Sequence, residues 1–125
     1  MVYFIITTFF DRKADFKEYL EYIDLVKKVV NLRIFEDEQG IMNKSILDIS
    51  GEILCISQFT LYGDARKGNR PSYDQAMKGE YAIKLYDLFC KKLNEIITTK
   101  KGTFGADMKV SLINDGPTTI IIESK

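Results

Sequence analysis

The hydrophobic pattern changes period along the chain. Val2–Phe10 (VYFIITTFF) is β-rich and apolar on both faces, the pattern of a buried strand. Asp11 or Asp15 stands at a capping position before Phe16, Leu20, Ile23, Val26 and Val30, which recur at spacings of three and four. That stripe predicts a helix running to about Val30. Leu32–Phe35 reads as a short strand, Glu36–Gly40 as a polar turn, and Ile53–Leu61 as a second apolar strand. Tyr62–Pro71 (YGDARKGNRP) has loop composition. Ser72 and Gln75 have capping-box spacing for a helix that is interrupted or re-entered near Gly79, with Ala82, Leu85, Phe89, Leu93 and Ile96 on one face. Lys109–Ile113 and Thr119–Ile122 read as the last strands, separated by Asp115-Gly116-Pro117. The order predicts an α/β or α+β fold: a mostly antiparallel sheet or partial barrel with two packed helices. A chain of 125 residues fits a single domain over residues 1–125.

Composition narrows the chemistry more than the fold. Lys plus Arg equals Asp plus Glu at 18 each, so no global basic field marks the chain as a nucleic-acid binder. Any RNA contact must use local charge, and Arg66, Lys67 and Arg70 form the best cluster, with Lys100 and Lys101 a second. The chain has no histidine. That excludes Ser-His-Asp and Cys-His catalysis and histidine-ligated zinc. Cys55 and Cys90 lie inside apolar runs and read as buried free thiols of a reducing compartment. No cofactor or metal is therefore expected, and a hydrolase on this chain must work by positioning, backbone donors or substrate groups. Val2–Phe10 is about half the length that spans a bilayer and lacks a signal peptide's basic start, so the expected location is the cytoplasm, without a membrane partner.

Three segments carry candidate chemistry, each with a plainer alternative. Ser57-Gln58-Phe59-Thr60-Leu61 ends a strand; Phe59 and Leu61 could sit in the core, or Phe59 and Thr60 could present backbone N–H groups to an oxyanion at a pocket mouth. Asn114-Asp115-Gly116-Pro117-Thr118-Thr119 is either an ordinary turn or a rigid edge built on a cis Gly116–Pro117 peptide. Phe104-Gly105-Ala106-Asp107-Met108 is either a strand entry anchored by Phe104 and Met108 or a place where small residues admit a ligand to the backbone.

Asn31–Gly40 (NLRIFEDEQG), Met42-Asn43, Ser57–Leu61, Asp64–Pro71 (DARKGNRP), Phe104–Met108 and Val110–Thr119 (VSLINDGPTT) occur together and in order. Over roughly residues 24–123 the chain resembles the D-aminoacyl-tRNA deacylases. The resemblance implies a homodimeric cytoplasmic hydrolase that cleaves D-amino acids, and glycine mischarged on tRNA-Ala, from tRNA. It implies a catalytic pocket at Ser57, Gln58, Phe59 and Thr60, and a Gly-cisPro pair, Gly116 and Pro117, that enters the partner subunit's site to reject L-amino acids. By matching segments it places Phe104, Ala106, Met108, Asn114 and Thr119 at the substrate, and Arg66, Lys67 and Arg70 near the tRNA. It further implies catalysis assisted by the 2′-hydroxyl of the terminal adenosine rather than attack by Thr60. Family members usually open with a strand bearing a Gln-Arg-Val element and then a second strand; neither has a counterpart here. The expectation is a chain that starts at the family's third strand, with an open sheet edge and a shallower pocket. A second expectation is a catalytically weakened, truncated homologue acting as a DNA- or RNA-binding module. Retained nucleic-acid binding without ester hydrolysis would mark that case.

Overall fold

The computed structural model describes residues 3–8, 10, 19–116 and 118–123. Strand β1 (Tyr3–Thr8) leads to helix α1 (Tyr19–Asn31), then β2 (Phe35–Glu36), β3 (Met42–Lys44) and β4 (Glu52–Ser57). A 3-10 turn (Phe59–Tyr62), helix α2 (Gly79–Asn94) and β5 (Thr99–Lys101) complete the regular elements. The expected α/β class holds, with two helices packed on a sheet. The sheet itself differs from expectation. Its order is β1-β4-β5 and both pairings are parallel; among the described strands only the β2–β3 hairpin is antiparallel. The reason is connectivity: α1 lies in the crossover from β1 to β4 and α2 in that from β4 to β5, and parallel neighbours need such crossovers.

The hairpin shows how local chemistry sets a turn. Gly40 takes φ +75°, which disfavours any residue with a β-carbon. The Asp37 carboxylate accepts the Gln39 and Ile41 amides at 2.9 and 3.0 Å and the Asn43 side chain at 3.2 Å. The expected strand at Leu32–Phe35 is shifted to Phe35–Glu36, because only these residues face β3.

The core forms where both helices meet one face of β4. Ile53 and Cys55, two apart and so on the same side, are buried with Val26, Val29 and Val30 of α1 and Tyr86, Phe89, Cys90 and Leu93 of α2. The expected α2 stripe is correct at Ala82, Leu85, Phe89 and Leu93, but Ile96 is 47% exposed and Ile97 is buried in its place. The helix ends at Asn94, so the three-and-four spacing no longer applies there. Phe16 and the capping aspartates, Asp11 and Asp15, lie outside the described residues.

Two further expectations are corrected. Ser72 does not cap a helix. Its N–H and C=O pair with Asp64 at 2.9 and 2.8 Å, which commits its backbone to closing a loop, and α2 starts only after Lys78. Lys109–Ile113 and Thr119–Ile122 are not strands among the described residues. They keep the alternating apolar pattern, but a strand needs a neighbour for its backbone groups, and none of those described pairs with them. Val110, Leu112, Ile120 and Ile121 are exposed as a result, and Ile113 is 95% exposed.

Candidate active site

Strand β4 delivers the first candidate segment. Ser57 is its last residue, in register with Thr8 of β1, while on the other edge the pairing with β5 ends at Cys55 and Lys101. The chain then turns through Gln58 (φ −151°, ψ 87°) into the 3-10 turn. A 3-10 turn leaves its opening amides without an acceptor, because its bonds run from later N–H groups back to earlier carbonyls. By that pattern Phe59 and Thr60 have no acceptor within the turn, and Gln58 supplies no side-chain cap. Instead its amide nitrogen Nε2 donates to Thr60 Oγ1. Phe59 and Leu61 are 58% and 52% exposed, so the core reading of these two side chains is set aside. Phe59 stacks edge-on against Tyr73 with ring centroids 5.1 Å apart.

The loop after this turn is tied by charge. Asp64 binds Arg66 through both carboxylate oxygens, with Nε at 2.9 and 3.1 Å and Nη2 at 2.6 Å. The Arg66 guanidinium and its backbone amide hold the Asp64 carboxyl down to about 2. The stabilisation that follows from this depressed value is fully present above about 3.9, the ordinary carboxylate value. It is lost as pH falls through about 2. The amide resonances of Arg66 and Ser72 are therefore expected to hold steady from pH 7 to about pH 4, and to move as pH approaches 2. An Asp64→Asn variant should already show the shifted positions at pH 7. Arg66 is thus engaged, whereas Lys67 and Arg70 are exposed and have no ion-pair partner among the described residues. Lys101 pairs with Asp87 at 3.1 Å and Lys100 lies 3.6 Å from Glu52, so the second basic cluster is tied to α2 and β4.

The other candidate segments are placed unequally. Phe104 is partly buried against the core, tilted on Tyr86 at 5.7 Å. Gly105 takes φ +74°, which turns the chain between Phe104 and the exposed Ala106. Met108 lies over Gly102, where a β-carbon would stand 2.5 Å from its sulfur. Asn114, Gly116 and Thr119 are exposed, and Pro117, with the expected cis peptide, lies outside the described residues. Among the described residues no hydrogen bond, ion pair or ring contact joins Asn114–Thr119 to Ser57–Thr60. Two surface cavities, one lined by Asp64, Arg66, Lys67 and Ser72 and one by Asp24, Lys27, Lys28, Asn31, Leu32 and Arg33, also leave Ser57–Thr60 outside.

The thiols are structural in placement. Cys55 and Cys90 are free and buried. A hydrogen bond to Cys90, together with burial, pushes the Cys55 thiol up, so it keeps its proton. No group of three or more His, Cys, Asp and Glu side chains suited to a metal ion occurs among the described residues. No helix among them is long and apolar enough to cross a membrane.

The class to which a chain with this β4 exit and this tied basic loop belongs is given by comparison with known proteins. The D-Tyr-tRNA(Tyr) deacylase family profile matches residues 5–123. The chain belongs to that family. It is 58% identical over 114 residues to a D-aminoacyl-tRNA deacylase of Clostridium tetani, covering 90% of this chain and 75% of the relative. It is 59% identical over 103 residues to one of Bacteroides thetaiotaomicron, covering 81% and 69%. A solved structure titled c-Myc DNA Unwinding Element Binding Protein superposes with a TM-score of 0.85 at 39% identity, covering 97% of this chain and 81% of that one. A probable eukaryotic D-amino acid tRNA deacylase shares the fold, with a TM-score of 0.65 at 18% identity and coverage of 84% and 75%.

Proposed function

We propose that this chain hydrolyses the ester between a D-amino acid, or glycine mischarged on tRNA-Ala, and the 3′ end of tRNA. It leaves L-aminoacyl-tRNA intact and acts in the cytoplasm as a homodimer. The observation that carries the reading is the family match over residues 5–123, which includes every candidate segment. The DNA- or RNA-binding alternative is not favoured, because the curated relatives are deacylases.

The chemistry follows from what the site offers. Ester hydrolysis builds negative charge on the carbonyl oxygen, and fixed backbone N–H groups stabilise it better than mobile water does. Phe59 and Thr60 supply such groups. Thr60 has a hydroxyl but no base: its oxygen receives the Gln58 amide, and the chain has no histidine to take a proton from it. Thr60 therefore positions substrate, and the 2′-hydroxyl of the terminal adenosine assists water. Lys67 and Arg70, exposed on the loop that Asp64 and Arg66 tie, would meet backbone phosphates.

A second copy supplies the rest. Leu112, Ile113, Ile120 and Ile121 are exposed around Asn114–Thr119, and clustered exposed apolar residues mark association surfaces. In such a dimer, the family resemblance assigns each chain's Gly116–Pro117 to the other's Ser57–Thr60. That supports chiral selection by a rigid backbone edge, which can test the α-carbon without recognising the side chain.

The purified protein should release tyrosine from D-tyrosyl-tRNA at an unchanged rate in the presence of chelator. Thr60→Ala should keep measurable turnover. No release by the folded wild-type protein contradicts the deacylase reading, and an acyl-enzyme trapped on Thr60 contradicts the positioning role.

A further inference from the structure

Tyr86 joins the two candidate segments from behind. It lies on α2 and is 1% exposed. Its hydroxyl donates to the Cys55 carbonyl at 2.8 Å, and the same carbonyl accepts the Gly102 amide at 3.3 Å. Cys55 is two residues before Ser57, and it is the last residue of β4 with a partner on β5. Beyond it that edge of the strand has no ladder, so the Tyr86 bond and the long Gly102 bond are its last supports before the 3-10 turn. The Tyr86 ring also rests on Phe104 at 5.7 Å and 45°. One side chain thereby touches the exit of β4, which leads to Phe59 and Thr60, and the aromatic residue that opens Phe104–Met108.

A phenylalanine would fill this volume without burying an oxygen, and a buried hydroxyl is costly unless bonded. Burial keeps the phenol protonated, so it is a donor at every physiological pH. The acceptor's location is what separates it from an ordinary satisfied core tyrosine: it is where the pairing of β4 with β5 stops, two residues before Ser57.

We propose that Tyr86 is a positioning residue for ester hydrolysis, its hydroxyl fixing the β4 exit and its ring fixing Phe104. This rests on the deacylase reading above. Displacements of about 1 Å in a reacting geometry cost up to about a hundredfold in rate.

The test uses Tyr86→Phe, which keeps the ring and removes only the oxygen, beside Leu93→Val as a core control. D-tyrosyl-tRNA turnover is measured well below both melting temperatures, and amide hydrogen exchange is followed at Ser57–Thr60. Tyr86→Phe should lower kcat about tenfold, leave KM within about twofold, and speed exchange at Ser57–Thr60. Leu93→Val should change neither kcat nor that exchange. Unchanged kcat and exchange in Tyr86→Phe overturns the positioning role, as does an equal kcat loss in Leu93→Val. An inactive wild-type protein would instead contradict the deacylase reading itself, and it is seen before either variant is compared.

Discussion

D-Tyrosyl-tRNA whose terminal adenosine carries hydrogen in place of the 2′-hydroxyl should be cleaved at least about a hundredfold more slowly than the natural ester. The expectation comes from counting the groups able to move a proton near Phe59 and Thr60. The chain has no histidine. Thr60 Oγ1 is occupied by Gln58, and the next carboxylate along the chain, Asp64, is locked onto Arg66 with its acidity raised to about 2. A carboxylate so acidic is a poor base near neutral pH. On the deacylase reading proposed above, the 2′-hydroxyl of the substrate takes this part. Single-turnover cleavage of the two tRNAs, matched in amino acid, checks this. Equal rates would mean that a protein group does the work, and that the description of the strand exit is incomplete.

Gly116→Ala is expected to lower D-tyrosyl-tRNA cleavage at least about tenfold. A β-carbon on Gly116 would stand 2.5 Å from the Thr118 backbone nitrogen and 3.5 Å from Asn114 Oδ1. The first contact is with backbone, so the Asn114–Thr119 edge itself must move rather than a flexible side-chain tip. Gly116 is exposed and outside the core cluster, so the melting temperature should change little, within the about 0.5 kcal/mol common for surface substitutions. Loss of activity with retained stability separates a recognition edge from a simple turn. Unchanged cleavage with unchanged discrimination against L-tyrosyl-tRNA would return NDGPTT to the turn reading.

The sequence was most legible where one local rule decided the outcome. The apolar spacing in α2 identified Ala82, Leu85, Phe89 and Leu93 as core. It missed Tyr86, which lies on the same face but reads as a polar type, whereas Cys90 was expected to be buried from its apolar run and is. Tertiary connectivity was less legible. Alternation in β4 does not say whether a neighbour runs parallel, and it was the helix between each strand pair that decided. Val110, Leu112, Ile120 and Ile122 alternate as strand residues do, but alternation cannot supply a pairing partner, and here the segment stays irregular. At the site, Ser57–Leu61 was found by motif, yet its 3-10 geometry and the exposure of Phe59 were not. A turn of four residues has no period to read. The Asp64–Arg66 pair is not legible in the sequence, because their bidentate contact across two residues depends on loop geometry, which spacing alone does not encode.

Stereochemistry tests the deacylase reading most directly. Purified protein at equal concentration is mixed with D-tyrosyl-tRNA and with L-tyrosyl-tRNA, and the remaining ester is followed in time. The D ester should disappear while the L ester decays at the rate seen without protein. Cleavage of both esters at the same rate would contradict the account.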